Sequence, residues 1–355
     1  MDSPRHMSLL TSVLRTLAPL PLVGALLAGC ATAPTAATMP AAAPAGGSGY
    51  AGHPAAAQFI ETMTREHGIP RAEVETVLAQ AQRQQSILDA ISRPAEAKPW
   101  RDYRPIFITR ARIDGGVEFW NRNADILADA QRHFGVDARV IVAIVGVETR
   151  YGANTGKYRV LDALSTLGFD YPKRAEFFRK ELAQFLLLTR EEHVNVLDAR
   201  GSYAGAMGQG QFIPSSYRRF AVDFDGDGKR DLWHSERDVL GSVANYFKQH
   251  GWQAGAPVVA RARVSGTAYK ALLEKGLKPH MPAGDLARYG VRSDTPIAAD
   301  TPVALVELEG TDGPEQWVLF NNFYVITRYN RSPLYAMAVH QLSEEIAAAR
   351  ASTQR

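Results

Sequence analysis

At residues 137–152 the chain reads DARVIVAIVGVETRYG, and this stretch decides the fold class. Asp137 is a typical N-cap residue, so the stretch predicts a helix that begins directly after it. Four apolar residues and one acidic residue would share one face of this helix, because their spacing is i, i+1, i+4, i+5 and i+8: Val140, Ile141, Ile144, Val145 and Glu148. The sequence therefore predicts a helix whose apolar face carries one carboxylate.

Two interpretations of Glu148 follow from this placement. A carboxyl group on an apolar face loses water, which raises its pKa and suits a general acid that protonates a glycosidic oxygen. The alternative is a buried glutamate that pairs with an arginine for structural reasons. Spacing alone favours the alternative.

Helical periodicity continues on both sides of this stretch. It begins near Phe59 and recurs in four further segments: residues 117–134, 172–190, 237–250 (with Gly251 as the C′ residue) and 335–350. Residues 255–320 instead show short β-prone runs, such as those at 258–259 and 303–306, separated by Gly, Pro and Asp. The predicted fold class is therefore mainly α, of the α+β type, with a small β-containing region.

The N-terminal residues have the pattern of a lipoprotein signal. Arg5 and Arg15 precede an apolar stretch at residues 17–28, which is too short for a typical transmembrane helix. The stretch runs into LAGC at residues 27–30, which resembles a lipobox, and Cys30 is the only cysteine of the chain. We expect Cys30 to be lipidated; the alternative is a signal peptide that is cut elsewhere. Residues 31–57, rich in Ala, Pro, Gly, Ser and Thr, are expected to form a flexible tether.

The overall charge excludes one class of function. Of the 355 residues, 40 are Lys or Arg and 37 are Asp or Glu, which gives a formal net charge of +3. A dedicated nucleic-acid binder concentrates far more basic residues. We therefore expect no nucleic-acid partner.

A glycine-rich block lies at residues 201–217 and reads GSYAGAMGQGQFIPSSY. Its four glycines within ten residues permit unusual backbone angles and a close approach to a ligand. Its Ser, Gln and Tyr side chains could bind a sugar, and a plain surface loop is an equally good interpretation. A phosphate loop is excluded because the Gly-Lys-Ser/Thr ending is missing.

Residues 223–231, DFDGDGKRD, match the first part of an EF-hand calcium loop. The match predicts the carboxylates of Asp223, Asp225 and Asp227 and the main-chain carbonyl of Lys229 as ligands. Loop position 12 holds a histidine, so Glu236 or Asp238 would have to close the site, and we favour Asp238. The alternative is an array of Asp-Gly turns without a metal.

Three blocks in order along the chain make the resemblance specific: VGVETRYG at 145–152, GSYAGAMGQGQF at 201–212 and NFYVITRYN at 322–330. Together they resemble the membrane-bound lytic murein transglycosylase B family, glycoside hydrolase family 103, from about residue 59 to residue 350. The resemblance implies a lysozyme-like helical core with a helical flanking domain and a small β-containing domain. The implied domain order is a signal peptide at 1–29, the lipidated cysteine and tether at 30–57, the flanking domain at 58–135, the core with its calcium loop at 136–254, the β-containing domain at 255–320 and a return segment at 321–350.

The same resemblance implies the reaction and the residues that perform it. The family cleaves the β-1,4 bond between N-acetylmuramic acid and N-acetylglucosamine in peptidoglycan and leaves 1,6-anhydromuramic ends. Glu148 resembles the catalytic acid and base, and the implied substrate-binding residues are Ser202, Gln211, Tyr246, Tyr329, Asn330, Tyr103, Tyr335, Lys173 and Arg174. Lys173 departs from the family pattern of two arginines, because it keeps the charge but loses the planar fork.

The expected surroundings follow from this assignment. Catalysis would need no cofactor, and a structural calcium ion would occupy the aspartate loop. The partners would be peptidoglycan glycan strands, a membrane reached through the lipid anchor, and other cell-wall enzymes. We expect the protein at the periplasmic face of the outer membrane. The rival functions are a non-catalytic peptidoglycan-binding lipoprotein and a hydrolytic muramidase with the same fold.

Overall fold

The stretch around Glu148 forms a buried helix in the computed structural model, which describes residues 49–92 and 98–353. This helix, α7, spans Ala138–Thr149 and is buried along nearly its whole length. The helices that pack against it include Arg110–Arg122 (α5) and Pro333–Thr353 (α14). The remaining helices are Ala56–His67 (α1), Arg71–Gln80 (α2), Gln85–Ile91 (α3), Trp100–Phe107 (α4), Ala124–Phe134 (α6), Val160–Asp170 (α8), Ala175–Glu191 (α9), Pro214–Phe220 (α10), Glu236–Gln249 (α11), Lys270–Leu273 (α12) and Asn321–Tyr329 (α13), with 3-10 helices at Pro172–Arg174 and Ala283–Tyr289.

Both ends of α7 are fixed by contacts that the sequence pattern did not show. Asp137 occupies the N-cap position as predicted, but its side chain makes no capping hydrogen bond. Gln131 instead accepts from the Ala138 amide at 2.9 Å. At the other end, Arg150 and Tyr151 both adopt positive φ angles, 50° and 60°, which turn the chain sharply away after Glu148.

Most of the predicted helices are confirmed, and one prediction is wrong. Residues 117–134 do not form a single helix, because α5 ends at Arg122 and α6 begins at Ala124. Asn123 interrupts the helix: it has φ −110° and ψ 22°, and its side-chain amide donates back to the Phe119 carbonyl at 3.1 Å. Such competition by an asparagine side chain for a backbone carbonyl favours a helix end.

The predicted β-containing region is a five-stranded antiparallel sheet in the order β4-β6-β7-β3-β5. Successive side chains of its longest strand, Pro302–Gly310, point to opposite faces of the sheet and pack into two different cores. Val306 and Leu308 join the helical core, whereas Val303 and Leu305 pack with Phe320 in a second cluster. The mainly α class with a small β part is therefore confirmed. The strands are Val259–Val264 (β3), Met281–Pro282 (β4), Val291–Ser293 (β5), Pro302–Gly310 (β6) and Gly313–Leu319 (β7), and a separate pair joins Tyr158–Arg159 (β1) to Arg200–Gly201 (β2).

Packing begins earlier in the chain than the predicted tether boundary at residue 57. Tyr50 is buried, its amide donates to Leu78 at 2.7 Å, and its hydroxyl donates to Asp170. The composition of residues 31–57, dominated by Ala, Pro, Gly, Ser and Thr, did not indicate that Tyr50 would pack against the folded part. Cys30, the signal peptide and the first part of the tether lie outside the described residues, and no described helix has the length and apolarity needed to span a bilayer.

Two glycines create the space that holds the turn after Glu148 in place. The ring of Tyr151 lies against Gly116 and Gly146, where an added Cβ would come within 2.6 Å of its hydroxyl oxygen. The same hydroxyl donates to the Arg112 carbonyl at 2.6 Å. The absence of side chains at these two positions therefore lets Tyr151 fix α5 to the last turn of α7.

We predict that Gly146→Ala lowers the free energy of unfolding by about 1–3 kcal/mol, because the new methyl group would displace the Tyr151 ring in a packed interior. Denaturant unfolding measures the change. Gly52→Ala is the matched control, since no atom lies within 4 Å of the added Cβ there. Equal stabilities of the two variants would contradict this account of the turn.

Candidate active site

Glu148 lies in the last turn of α7 and is partly buried. The hydroxyl of Tyr335 donates a hydrogen bond to its Oε1 atom at 2.5 Å. Burial raises the pKa of Glu148 from its ordinary value of 4.5 to about 7, and the Tyr335 hydrogen bond acts in the opposite direction. Among the described residues Glu148 forms no ion pair, so its partner is a tyrosine and the interpretation as an arginine-paired glutamate is wrong.

Four tyrosines that the sequence assigned to the substrate cleft gather around this carboxyl group. Burial raises the pKa of Tyr335 well above its ordinary value, and the charge of Glu148 raises it further. The nearby Tyr329 and Tyr103 act in the same direction. Burial and the Glu148 charge raise the pKa of Tyr329 in the same way. Tyr246 packs against Tyr329 with ring centroids 4.8 Å apart. Tyr335, Tyr329 and Tyr246 therefore keep their protons at neutral pH and form a neutral wall beside Glu148, here called the tyrosine wall.

Two hydroxyls of this wall fix neighbouring segments to each other. Tyr329 donates to the Gly210 carbonyl and Tyr246 donates to the Arg328 carbonyl, each at 2.5 Å. The glycine-rich block, α11 and α13 are thereby joined next to Glu148. Burial raises the pKa of Tyr246 to about 12, so its hydroxyl donates across the physiological range.

Thr149 is a residue of the site that sequence reasoning missed. Its side chain is almost fully buried and donates to the Gln209 carbonyl at 2.9 Å, while the Gly152 amide donates to it at 3.0 Å. Helix α7 and the glycine-rich block are therefore connected directly after Glu148. A polar residue that follows the carboxylate within an apolar helix was the only signal in the sequence.

Ser202 and Asn330 form hydrogen bonds within their own segments, and Gln211 also bonds to the segment after α7. Ser202 accepts from two amides of its turn at 3.0 and 3.3 Å, and Asn330 accepts from the Ser332 amide at 3.0 Å. Gln211 has a positive φ of 52°, and its amide group donates to the Thr155 and Gly208 carbonyls, both at 3.0 Å. All three shape the loops around the cleft in this structure, and their roles as sugar ligands stay predictions.

Lys173 and Arg174 lie apart from the tyrosine wall in the contacts that the structure shows. Both are exposed on the 3-10 helix between α8 and α9, and the guanidinium of Arg174 lies 4.3 Å from the centroid of the Phe177 ring. No hydrogen bond or ion pair within residues 49–92 and 98–353 joins either one to Glu148 or the cleft tyrosines. Their predicted contact with acidic parts of a substrate stays a prediction.

Arg112 is a second residue that the sequence did not reveal. It is buried, and its guanidinium donates to the carbonyls of Gly146 at 3.1 Å and Ile106 at 2.5 Å. These carbonyls belong to the C-terminal ends of α7 and α4, where the helix dipole favours a positive charge. Arg112 therefore holds the last turn of α7, and it is not among the causes of the pKa shift of Glu148.

The aspartate loop has the geometry of a partial cation site. Oxygen atoms of Asp223, Asp225 and Asp227 lie within 4.8 Å of one another. Asp238 is fully buried outside this triad and accepts from the amides of Phe224 and Asp231 at 2.7 and 2.8 Å. In this structure Asp238 therefore fixes the shape of the loop.

Three clustered carboxylates on a glycine-containing turn fit an oxygen-liganded divalent cation. The Lys229 amide donates to Asp227 at 2.8 Å, which leaves its carbonyl available as the predicted ligand. Ser235 donates to Asp225 at 2.6 Å and so connects the triad to the start of α11. Closure of the site by Asp238 stays a prediction.

Comparisons with known proteins show which family and fold the chain matches. A family model described as a transglycosylase SLT domain matches residues 51–344. The chain is 44% identical over 314 residues to the membrane-bound lytic murein transglycosylase B of Escherichia coli (strain K12), with 86% of each chain covered. It is also similar to the X-ray structure of the lytic transglycosylase SltB1 from Pseudomonas aeruginosa, at 54% identity and a TM-score of 0.81, covering 85% of this chain and 99% of that one. The structure of Escherichia coli SLT35 in complex with calcium matches at 43% identity and a TM-score of 0.77, covering 86% and 96%.

We predict that Tyr335→Phe raises the pKa of Glu148 above about 7, because the lost hydrogen bond stabilises the ionised carboxylate. Carbon-13 NMR of the glutamate side-chain carboxyl groups measures the titration. Tyr203→Phe is the matched control, since Tyr203 is exposed and makes no hydrogen bond to Glu148. A pKa that falls or stays constant in Tyr335→Phe would show that the hydrogen bond does not control this group.

Proposed function

The chain belongs to the transglycosylase SLT domain family and is a lytic murein transglycosylase, an enzyme that cleaves peptidoglycan; we propose that Glu148 carries its reaction. The fold is that of the lysozyme-like lytic transglycosylases among its structural neighbours. The observation that supports Glu148 most strongly is its pKa of about 7 in a wall of protonated tyrosines. A carboxyl group with this pKa is half protonated at neutral pH and can both give up and take a proton.

In the proposed first step, protonated Glu148 donates its proton to the glycosidic oxygen between N-acetylmuramic acid and N-acetylglucosamine. The leaving sugar departs with that proton, and positive charge develops at C1 of the muramoyl ring. The acetamido oxygen of the same sugar stabilises this charge. Tyr335 favours the carboxylate that Glu148 becomes, because its hydroxyl already donates to Oε1.

In the second step the Glu148 carboxylate removes the proton from the C6 hydroxyl of the muramoyl sugar. The C6 oxygen bonds to C1, which closes the 1,6-anhydro ring and returns Glu148 to its protonated form. This internal nucleophile competes well with water, because effective molarities of well-oriented groups reach about 10⁵ M or more. The tyrosine wall and the apolar face of α7 limit the access of water to the same bond.

One carboxylate is enough for this chemistry, whereas ordinary glycosidases use two that flank the bond. Burial and the Tyr335 hydrogen bond account for the pKa shift of Glu148, and no second carboxylate of the described residues contributes to it. This isolation favours the substrate-assisted route over a hydrolytic muramidase. Solved relatives are complexes with NAG-NAM-pentapeptide and NAG-anhNAM-pentapeptide, which supports glycan strands as the partner and an anhydro sugar as the product.

We propose a structural calcium ion at the aspartate loop, held by Asp223, Asp225, Asp227 and the carbonyl of Lys229, with Asp238 as the closing ligand. The clustered carboxylates support this site, as does the relative whose structure contains calcium. The ion would neutralise the like charges of the triad and stiffen the segment that leads into α11. Catalysis itself would use no cofactor.

We also propose that the protein is a lipoprotein of glycoside hydrolase family 103. Cys30 in its lipobox-like sequence would carry the lipid, and the tether would connect it to the folded residues. The membrane-bound relative supports attachment to a bacterial membrane. Residue 31 is an alanine and gives no acidic retention signal, which favours the outer membrane, facing the periplasm, where other cell-wall enzymes act.

We predict that Glu148→Gln abolishes the release of anhydromuropeptides from isolated sacculi, since the amide can neither donate nor accept the reacting proton. Mass spectrometry of the digest measures the products. Glu118→Gln, an exposed glutamate on α5, is the matched control and should keep full activity. Reducing ends from the wild type would instead identify a muramidase, and a wild type that releases nothing would identify a binding protein.

The same substitution should change the dependence of stability on pH. The pKa of Glu148 is about 7 in the folded protein and near 4.5 when unfolded, so ionisation of this group destabilises the fold. Its contribution is fully present below about pH 4.5 and is lost as the pH rises through about 7. We predict that Glu148→Gln is more stable than the wild type at pH 8 by roughly 1–3 kcal/mol, and that this gain vanishes at pH 4. Chemical denaturation at the two pH values measures the difference, and an equal difference at both would contradict the assigned pKa.

We predict that calcium raises the melting temperature, because a ligand that binds only the folded state stabilises it by about 2.7 kcal/mol at about 100 times its Kd. The double variant Asp223→Asn/Asp225→Asn should lose this response. Asp300→Asn/Asp312→Asn removes the same charge from exposed positions of the β-containing region and should retain it. A wild-type melting temperature that is insensitive to calcium and chelator would exclude a structural ion.

A further inference from the structure

Three arginines from neighbouring segments surround the ring pair of Tyr246 and His250. They are Arg219 on α10, Arg328 on α13 and Arg331 shortly after it, here called the arginine cluster. The two rings stack with centroids 4.1 Å apart. Burial raises the pKa of Tyr246, and the charges of Arg328 and Arg331 oppose that rise. Burial lowers the pKa of His250, and the charges of Arg219 and Arg328 lower it further. The contacts agree with this proximity: the Arg219 guanidinium lies 5.1 Å from the centroid of the Phe220 ring, which packs against both rings of the pair at 4.9 Å. The main-chain carbonyl of Arg328 accepts from the Tyr246 hydroxyl, and Arg331 follows Arg328 in the chain.

No acidic side chain compensates the arginine cluster. Within residues 49–92 and 98–353, none of its members lies within ion-pair distance of an Asp or Glu. The adjacent Arg218, in contrast, pairs with Glu191 at 2.6 Å, and Arg237 pairs with Asp129 at 2.8 Å. The cluster is thus a local excess of positive charge in a chain of nearly balanced composition, and such a surface attracts anionic ligands.

Arg328 is held in place by contacts that leave some of its N–H donors unused. Its guanidinium carbon lies 4.1 Å from the centroid of the Tyr324 ring, and its Nη2 donates to Thr327 at 3.0 Å. Its Nε atom is buried and has no hydrogen-bond partner among the described residues, so the guanidinium does not use all of its donors within the chain. A fixed guanidinium also loses little side-chain entropy on binding, and its planar fork matches a carboxylate.

The arginine cluster adjoins the catalytic wall. Tyr246 donates to the main-chain carbonyl of Arg328 and packs on Tyr329, whose pKa is raised in part by the Glu148 charge. A glycan strand in the cleft would therefore place substituents of a sugar near these arginines. Glucosamine units carry no negative charge when acetylated, whereas muramoyl units carry a lactyl group that ends in a carboxylate or a peptide.

We propose that the arginine cluster binds carboxylates carried by muramoyl units, those of the peptide stem, and so makes the enzyme prefer peptide-bearing strands. This proposal rests on the proposed function, because it assumes that the cleft holds a glycan strand. Arg328 supplies the fixed fork, and the exposed Arg219 and Arg331 supply additional charge at the rim. Lys173 and Arg174 belong to a different segment of the chain, the 3-10 helix before α9.

The test uses Arg219→Gln/Arg331→Gln, since both side chains are exposed and their removal leaves the packed wall intact. Release of anhydro product is measured on peptide-bearing strands and on amidase-treated strands, which keep only the lactyl carboxylate. On peptide-bearing strands we expect KM to rise about five-fold with kcat nearly constant, and the rise to shrink at high salt, as is typical for rim charges. Arg219→Lys/Arg331→Lys should restore part of the affinity because it keeps the charges.

The matched control is Arg65→Gln/Arg292→Gln, which removes two exposed arginines elsewhere and should leave KM unchanged. An equal rise in KM on amidase-treated strands would assign the lactyl carboxylate as the bound group and would overturn the proposed recognition of the peptide stem. An unchanged KM on both substrates, or an equal loss of affinity for uncharged chitooligosaccharides, would overturn the proposal. Failure of the wild type to release anhydro product would instead refute the proposed function, so the two failures are distinguishable.

Discussion

The structure depends on one constraint: a carboxyl group that is partly desolvated and still accepts a hydrogen bond. Burial at the end of α7 raises the pKa of Glu148 to about 7, and the 2.5 Å hydrogen bond from Tyr335 limits the rise. Burial alone or the hydrogen bond alone would place the pKa of Glu148 further from 7. Because Tyr335 lies on α14, the helix near the C-terminus sets the chemistry of a residue in the middle of the chain.

The elements around this carboxyl group hold its position through backbone carbonyls. Thr149, Tyr329 and Tyr246 donate to main-chain oxygens of adjoining segments, and Arg112 donates to the carbonyl ends of two helices. Such bonds fix backbone positions, and one of the donors, Arg112, is itself a cation. The pKa shift of Glu148 nevertheless comes from burial and the Tyr335 hydrogen bond.

Charge is distributed unevenly around the cleft, and this distribution distinguishes its parts. The tyrosine wall next to Glu148 is neutral, whereas the arginine cluster on the far side of Tyr246 is cationic and lacks an acidic partner among the described residues. The aspartate loop, a separate segment that leads into α11, is anionic. A polymer with neutral sugars and anionic substituents matches the first two surfaces, and a divalent cation matches the third.

The sequence by itself determined the secondary structure, the catalytic candidate and the aspartate loop, because periodicity and short motifs are local properties of the chain. It could not show that Asn123 splits a predicted helix, since the competing bond to the Phe119 carbonyl exists only once the helix has formed. It also left Glu148 between two interpretations, because its partner lies 187 residues away. Only the tertiary structure showed that the partner of Glu148 is a tyrosine and not an arginine. It also brought Arg219 and Arg328 to the same ring, that of His250. The reason in both cases is that long-range packing sets the burial and the neighbours on which charge and pKa depend.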